Sequence, residues 1–199
     1  MIYENTTIID FETTGFDPNN DKIIEVALLR IRKGKIIGSL THLINPEIDI
    51  PSEITKITGI TNGDVDYCPK IYQILPWLMA IIGDSIIVAH NAFFDLNFLE
   101  VQNQKYRGKG IKNFFLDTRA ISIDRFPYES HRLEAMCKKY GIHLIGAHRA
   151  NNDVQATWEL LKKLNDDMTI DIDYLNKIYY YKKHGMPEWY PDYAKVIGI

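Results

Sequence analysis

The amino-acid sequence predicts an α/β domain in which a mixed five-stranded sheet is flanked by helices. Three observations carry that expectation. Apolar, β-branched runs near the N-terminus are joined by a hairpin signal, which starts the sheet antiparallel. Short apolar strands then alternate with segments of helical spacing. The 199 residues, 46% apolar and 25% charged, suffice for one sizeable core.

Taken in order, Thr7-Ile8-Ile9-Asp10-Phe11-Glu12-Thr13-Thr14-Gly15 reads as a buried strand that runs into two carboxylates. Strand side chains alternate, so Asp10 and Glu12 share a face. Like charges so placed repel and resist burial, and a divalent cation turns that repulsion into coordination. The pair is either a polar strand end or half of a metal site, and a motif this short does not choose between them. Residues 14–21 are turn-rich, 23–31 form a second strand, Arg32-Lys33-Gly34-Lys35 a hairpin connection and 36–44 a third strand. Pro51-Ser52-Glu53 opens a short helix that Gly59 closes, and 61–65 read as a loop or cap. Ile71 to Ile82 has helical spacing, with a kink or break expected at Pro76. Residues 85–90 are a central parallel strand.

A helix follows Asn91 to about Gln102, then a polar, solvated loop from Gln104 to Asn113. Residues 114–117 form a strand, with a helix from Thr118. His131 to Tyr140 is a helix with Leu133, Met136 and Cys137 inward, and a loop over 143–151 leads to a helix from about 152 to 164. The acidic stretch Asn165-Asp166-Asp167 suggests a boundary, giving a domain of residues 1–164 and an aromatic-rich extension of 165–199. That extension holds six of the twelve tyrosines; a helix is expected over Ile172 to Tyr181, with the aromatics packed on the domain or on a partner.

Cys68 and Cys137 have no partner motif, which excludes a disulfide or zinc framework. Met1 to Asn5 lacks a basic, apolar leader and no apolar run reaches the length of a membrane span. The expected location is the cytoplasm, without a membrane partner. A net charge of -3 argues against gripping long nucleic acid by a broad basic face, but is compatible with a nuclease whose acidic site carries cations.

Three further residues stand out: Asp95 after two phenylalanines, His148 in a loop and Asp153 in a first helical turn. Each has a plain structural explanation, since an acid in a first turn favours the helix dipole. Together with Asp10 and Glu12, they fall at strand ends and helix starts, which converge at one edge of an α/β sheet. Four carboxylates there suit two divalent ions, and histidine suits proton abstraction from water. His90 is expected to be hydrogen-bonded scaffolding, while His42, His131, His143 and His184 show no ligand spacing.

Asp10-Phe11-Glu12-Thr13-Thr14-Gly15, Val88-Ala89-His90-Asn91-Ala92-Phe93-Phe94-Asp95 and His148-Arg149-Ala150-Asn151-Asn152-Asp153 together resemble the DEDDh exonuclease family, which includes the epsilon subunit of bacterial DNA polymerase III. The resemblance runs from about residue 6 to about residue 164, with support from 42–46, 58–61 and 133–142. It implies an RNase H-like fold and 3′→5′ hydrolysis of single-stranded nucleic acid to 5′-mononucleotides. It implies that Asp10, Glu12, Asp95 and Asp153 hold two Mg²⁺ or Mn²⁺ ions and that His148 is the general base. It also places the terminal nucleotide at Thr13 and Thr14, with contacts from Ile60, Asn91 and Phe94. Thr58 stands where many relatives carry histidine, a departure that concerns a substrate contact and not catalysis. Alternatives are an enzyme that trims RNA 3′ ends or short RNA, or a non-catalytic nucleic-acid-binding module; the complete set of five residues favours catalysis. A proofreading role would call for a separate polymerase subunit, and a homodimer is compatible with the sequence.

Overall fold

The computed structural model describes residues 4–144, 146–167, 170 and 172–199, the side chains of residues 172 and 184 excepted. The leader expectation at residues 1–3 and the expectation for the His184 side chain lie outside them. Five strands form the mixed sheet: β1 (Asn5–Thr13), β2 (Ile23–Arg32), β3 (Lys35–Leu43), β4 (Ile86–Ala89) and β5 (Phe115–Asp117), in the order β3-β2-β1-β4-β5. β1 is antiparallel to β2 and parallel to β4, which is parallel to β5. The β2–β3 turn works because Lys33 and Gly34 both take positive φ, at 50° and 72°, matching the twist of the strands.

Alternation along β1 sets the two faces. Ile9 and Phe11 pack with α3 (Ile71–Ile82) and α4 (Ala92–Arg107) through Leu78, Leu96 and Leu99. Ile8 packs on the other face with α5 (Thr118–Arg125), α6 (Leu133–Tyr140) and α7 (Ala150–Asp167) through Ile121, Met136, Val154 and Trp158. Asp10 and Glu12 continue the Ile8 side and therefore look toward α7.

Several expectations shift. Residues 61–65, expected as a loop or cap, hold the cap and a turn of helix: Asn62–Val65 forms α2 after α1 (Ser52–Thr58), capped by Thr61 N–H donating to Asp64 Oδ2 at 2.8 Å. α3 runs without a break across Pro76, which sits on its exposed side, where the carbonyl it leaves unbonded can face water. α4 extends to Arg107, so the expected 104–113 loop begins only at Gly108. Glu100–Gln104 and Asn103–Arg107 bonds support the added turn, and Gly108 ends it in the left-handed region.

The expected helix over 172–181 is absent. A short 3₁₀ turn at 172–174 leads into β6 (Lys177–Tyr180), paired parallel with β7 (Lys195–Gly198). Asn176 ties this extension to the free edge of β5: its N–H donates to Phe115 O at 2.8 Å and its Oδ1 accepts from Phe115 N–H at 2.9 Å. Trp189, Tyr190 and Tyr193 pack against the core on the α3–α4 face. Among the described residues no helix is long and apolar enough to cross a membrane.

Candidate active site

The parallel strands β1, β4 and β5 end on one side, and the candidate residues gather there. A register shift between Glu12 and Thr13 bends the end of β1. Glu25 stands directly across from Glu12 on β2 and is 1% exposed. Its carboxylate accepts from Arg149 Nη2 at 3.1 Å, from Arg149 Nε at 3.3 Å and from Ala150 N–H at 3.0 Å. This clamp docks the start of α7 over β1 and β2 and so brings Asp153, one turn in, over Asp10 and Glu12. His148 takes φ of 62° just before it, and its N–H donates to Asp153 Oδ2 at 2.9 Å. One hydrogen bond thus places both the histidine and the carboxylate. Replacing Arg149 with Met leaves Glu25 buried with a single donor; chemical denaturation should show a loss of about 1–3 kcal/mol.

On the other face, Asn91 adopts a left-handed conformation, φ 74°, to start α4. Asp117, 3% exposed, holds it there by accepting from the N–H groups of Asn91 at 2.9 Å and Arg119 at 2.8 Å. Asp95, in the first turn of α4, then reaches β1, where its Oδ1 accepts from Phe11 N–H at 3.0 Å. His90 is scaffolding, as its position suggested: Nδ1 lies 2.9 Å from Thr118 Oγ1 and Nε2 2.8 Å from His131 O.

Oxygens of Asp10, Glu12 and Asp153 lie within 4.8 Å of one another. Asp95 stands beside this trio, its charge acting on Asp10, and lines the same cavity. Burial, reinforced by the carboxylates of Asp95, Asp153, Glu12 and Glu25, pushes Asp10 well above the usual carboxylate range. Burial and the Asp153 and Glu25 charges raise Glu12 to about 8, with Arg149 opposing. Burial raises Asp153 to about 6 against the His148 N–H bond and the His148 charge. Burial raises Asp95 as well, against its bond from Phe11 N–H. An all-oxygen donor set that carries excess negative charge fits a hard divalent cation such as Mg²⁺ or Mn²⁺.

The sign of the pH dependence follows. Groups with a raised native pKa bind more protons folded than unfolded, so stability is lost as pH rises through the native values. His90, driven down to about 4 by burial, works in the other direction only below its ordinary value of 6.5. Between pH 6.5 and about 8, where Glu12 is still protonated in the folded chain but not in the unfolded one, the metal-free protein should therefore lose up to about 1.4 kcal/mol per pH unit for each proton of difference. Thermal melts in chelator should show this slope, and Glu12→Gln should reduce it.

A cavity of about 740 Å³ opens over these groups. Asp10, Glu12, Thr13, Asn91, Phe94, Asp95, His148 and Asp153 line it. Thr14 and Ile60 are not brought there. The N–H of Thr14 already donates to Lys22 O at 2.8 Å and its hydroxyl to Asp21 at 3.2 Å. Ile60, 2% exposed, packs with Ile24, Ile50 and Val65. The cavity wall is formed instead by Ile57 and by Phe16, 85% exposed and set edge-on to Phe94 at 6.2 Å between ring centroids. Sequence reasoning missed both, and also Glu25, whose signal was a carboxylate inside an otherwise apolar strand.

The family model described as Exonuclease matches residues 7–161. The DNA polymerase III PolC-type protein of Clostridium perfringens is 38% identical over 178 residues, which is 86% of this chain but 12% of that protein. The chain therefore spans only about an eighth of the length of such relatives. The DNA polymerase III epsilon subunit of Aquifex aeolicus is 33% identical over 162 residues, 81% of this chain and 80% of that one. Among solved structures, Exonuclease X in complex with 5′ overhanging duplex DNA superposes with a TM-score of 0.70 at 25% identity, covering 85% of this chain and 96% of that one.

Proposed function

The chain belongs to the exonuclease family whose model spans residues 7–161, and from that premise we propose that it is a DEDDh-type enzyme that removes nucleotides one at a time from the 3′ end of single-stranded DNA, releasing 5′-mononucleotides. The observation that carries the reading is the convergence of Asp10, Glu12 and Asp153 oxygens within 4.8 Å, in a cavity that His148 also lines. Two Mg²⁺ or Mn²⁺ ions held by Asp10, Glu12, Asp95 and Asp153 would neutralise charge on the phosphate and on the departing 3′ oxygen.

The chain's own groups do the rest. His148, on the exposed rim, takes a proton from the attacking water. Its main-chain bond to Asp153 keeps that base in step with the carboxylates. Phe16, Phe94 and Ile57 offer an apolar wall against which the terminal base packs, with Thr13 and Asn91 at its sugar and phosphate. Residues 1–164 are the nuclease unit in this reading, and 165–199 an extension fastened to its sheet edge.

DNA is favoured over RNA because the two relatives named above, at 38% and 33% identity, are DNA polymerase III proteins. The same relatives support a role beside a polymerase, on the same or a separate polypeptide. The test is incubation of 5′-labelled single-stranded DNA and RNA with Mg²⁺ or Mn²⁺. A ladder that shortens from the 3′ end, faster for DNA and abolished by chelator, is expected. Substrate bound but left intact in both ions would favour the non-catalytic module, and faster loss of RNA would favour 3′-end trimming of RNA.

A further inference from the structure

The exonuclease match ends at residue 161, yet the segment beyond it reaches the cavity: Tyr179 and Tyr181 line its wall beside Arg119. The extension holds Tyr181 in place by main-chain bonds on both sides. Ile199 N–H donates to Tyr180 O at 2.9 Å, and Lys182 N–H donates to Ile199 O at 3.0 Å. The Tyr180 ring lies over Gly198, where a Cβ would meet its hydroxyl at 2.9 Å, so the β6–β7 pair closes tightly behind Tyr181. Tyr179 is tied to α5 through its hydroxyl and Asp124.

Tyr181 differs from the tail aromatics that pack on the core. It is 39% exposed, and cations surround its ring: the Arg119 guanidinium carbon lies 5.4 Å from the centroid and Lys183 Nζ 5.6 Å. Arg119 also reaches Asn91 Oδ1 at 3.5 Å, which joins this cluster to the start of α4. Arg119 follows the end of β5, two strands from β1 in the sheet, so its backbone stands roughly 10 Å across the sheet from that of Asp10 and Glu12. That separation leaves the cluster outside the carboxylate centre but on the wall of the same cavity.

Resting on the exonuclease reading above, we propose that Tyr181, flanked by Arg119 and Lys183, is a stacking platform for a base upstream of the terminal nucleotide. An aromatic face beside cations suits single-stranded nucleic acid of any sequence, because every base has a π-face and every linkage a phosphate. On a chain of net charge -3, with an acidic centre, such a platform supplies local attraction that the overall charge does not.

A cycle of protein and substrate changes tests this. A five-nucleotide DNA strand is compared with versions lacking the base at the second or third position from the 3′ end, using wild type, Tyr181→Ala and Tyr181→Phe. Tyr181→Ala should raise KM for the intact strand about five- to a hundredfold, with a smaller change in kcat, and Tyr181→Phe should restore it. Removing the base at one of the two positions should weaken wild type by a similar factor, and that removal combined with Tyr181→Ala should weaken binding no more than either change alone. Losses from Tyr181→Ala and base removal that multiply independently at both positions, no effect of Tyr181→Ala, or no rescue by phenylalanine would overturn the platform. The same cycle is read as Kd by fluorescence anisotropy of the labelled strand. An uncleaved strand in wild type would then end the exonuclease reading while the platform is still decided by binding.

Discussion

Asp10→Asn is expected to lower kcat for release of the terminal nucleotide by about a thousandfold or more, while raising the melting temperature of the metal-free protein. The two effects share one cause. Asp10 sits at the centre of the carboxylate group, and its charge is disfavoured first by burial and then by Asp95, Asp153, Glu12 and Glu25. With ions bound, that charge is a ligand, and loss of several kcal/mol of transition-state stabilisation is a factor of about a thousand in rate. Without ions a buried carboxyl there is only a cost, through burial first and repulsion second or through the extra proton it must hold, so asparagine of the same shape relieves it. A gain of about 1–3 kcal/mol corresponds to roughly 2–4 °C for each kcal/mol at this chain length. Single-turnover rates in Mn²⁺ and thermal melts in chelator check the two halves. Activity near wild type would remove Asp10 from the ion site, and a lower melting temperature in chelator would contradict the electrostatic account.

His148→Asn should lower kcat by about a hundred- to ten-thousandfold, the range typical of a lost general base, with cation affinity retained. Asparagine is the informative replacement. His148 has φ of 62°, a region that asparagine tolerates and alanine does not favour. The bond to Asp153 comes from the main chain and survives the change. Fold and ion site should therefore persist, with thermal stability within about 0.5 kcal/mol of wild type. If KM rose while kcat held, His148 would be a substrate contact instead of a base.

The residues most legible in the sequence were those whose local chemistry and global role coincide. Alternation in β1 put Asp10 and Glu12 on one face, and the structure keeps them there because Ile8 on the same side is needed by α7. The hairpin at Lys33-Gly34 was readable because its turn demands positive φ. Other features depended on partners distant in sequence. Lys177-Ile178-Tyr179-Tyr180 carries a strand composition, but its partner lies at 195–198, and the apolar spacing was equally readable as a helix. The last turn of α4 is held by polar pairs that leave no apolar period. Ile60, in a loop, turned into a small apolar cluster instead of toward the cavity, as buried area favours. Asp95 is carried by α4, the helix that packs on the Ile9 and Phe11 face of β1, and the spacing of carboxylates along the chain does not reveal which helix covers which side.

The account is tested most directly by diffraction at the manganese absorption edge from crystals soaked in Mn²⁺ with a nucleoside 5′-monophosphate. Anomalous density is expected between the side chains of Asp10, Glu12 and Asp153, with the nucleotide's phosphate against it and its base on the Phe16–Phe94 wall. Manganese bound only elsewhere on the surface, with these carboxylates in contact with water alone, would contradict it.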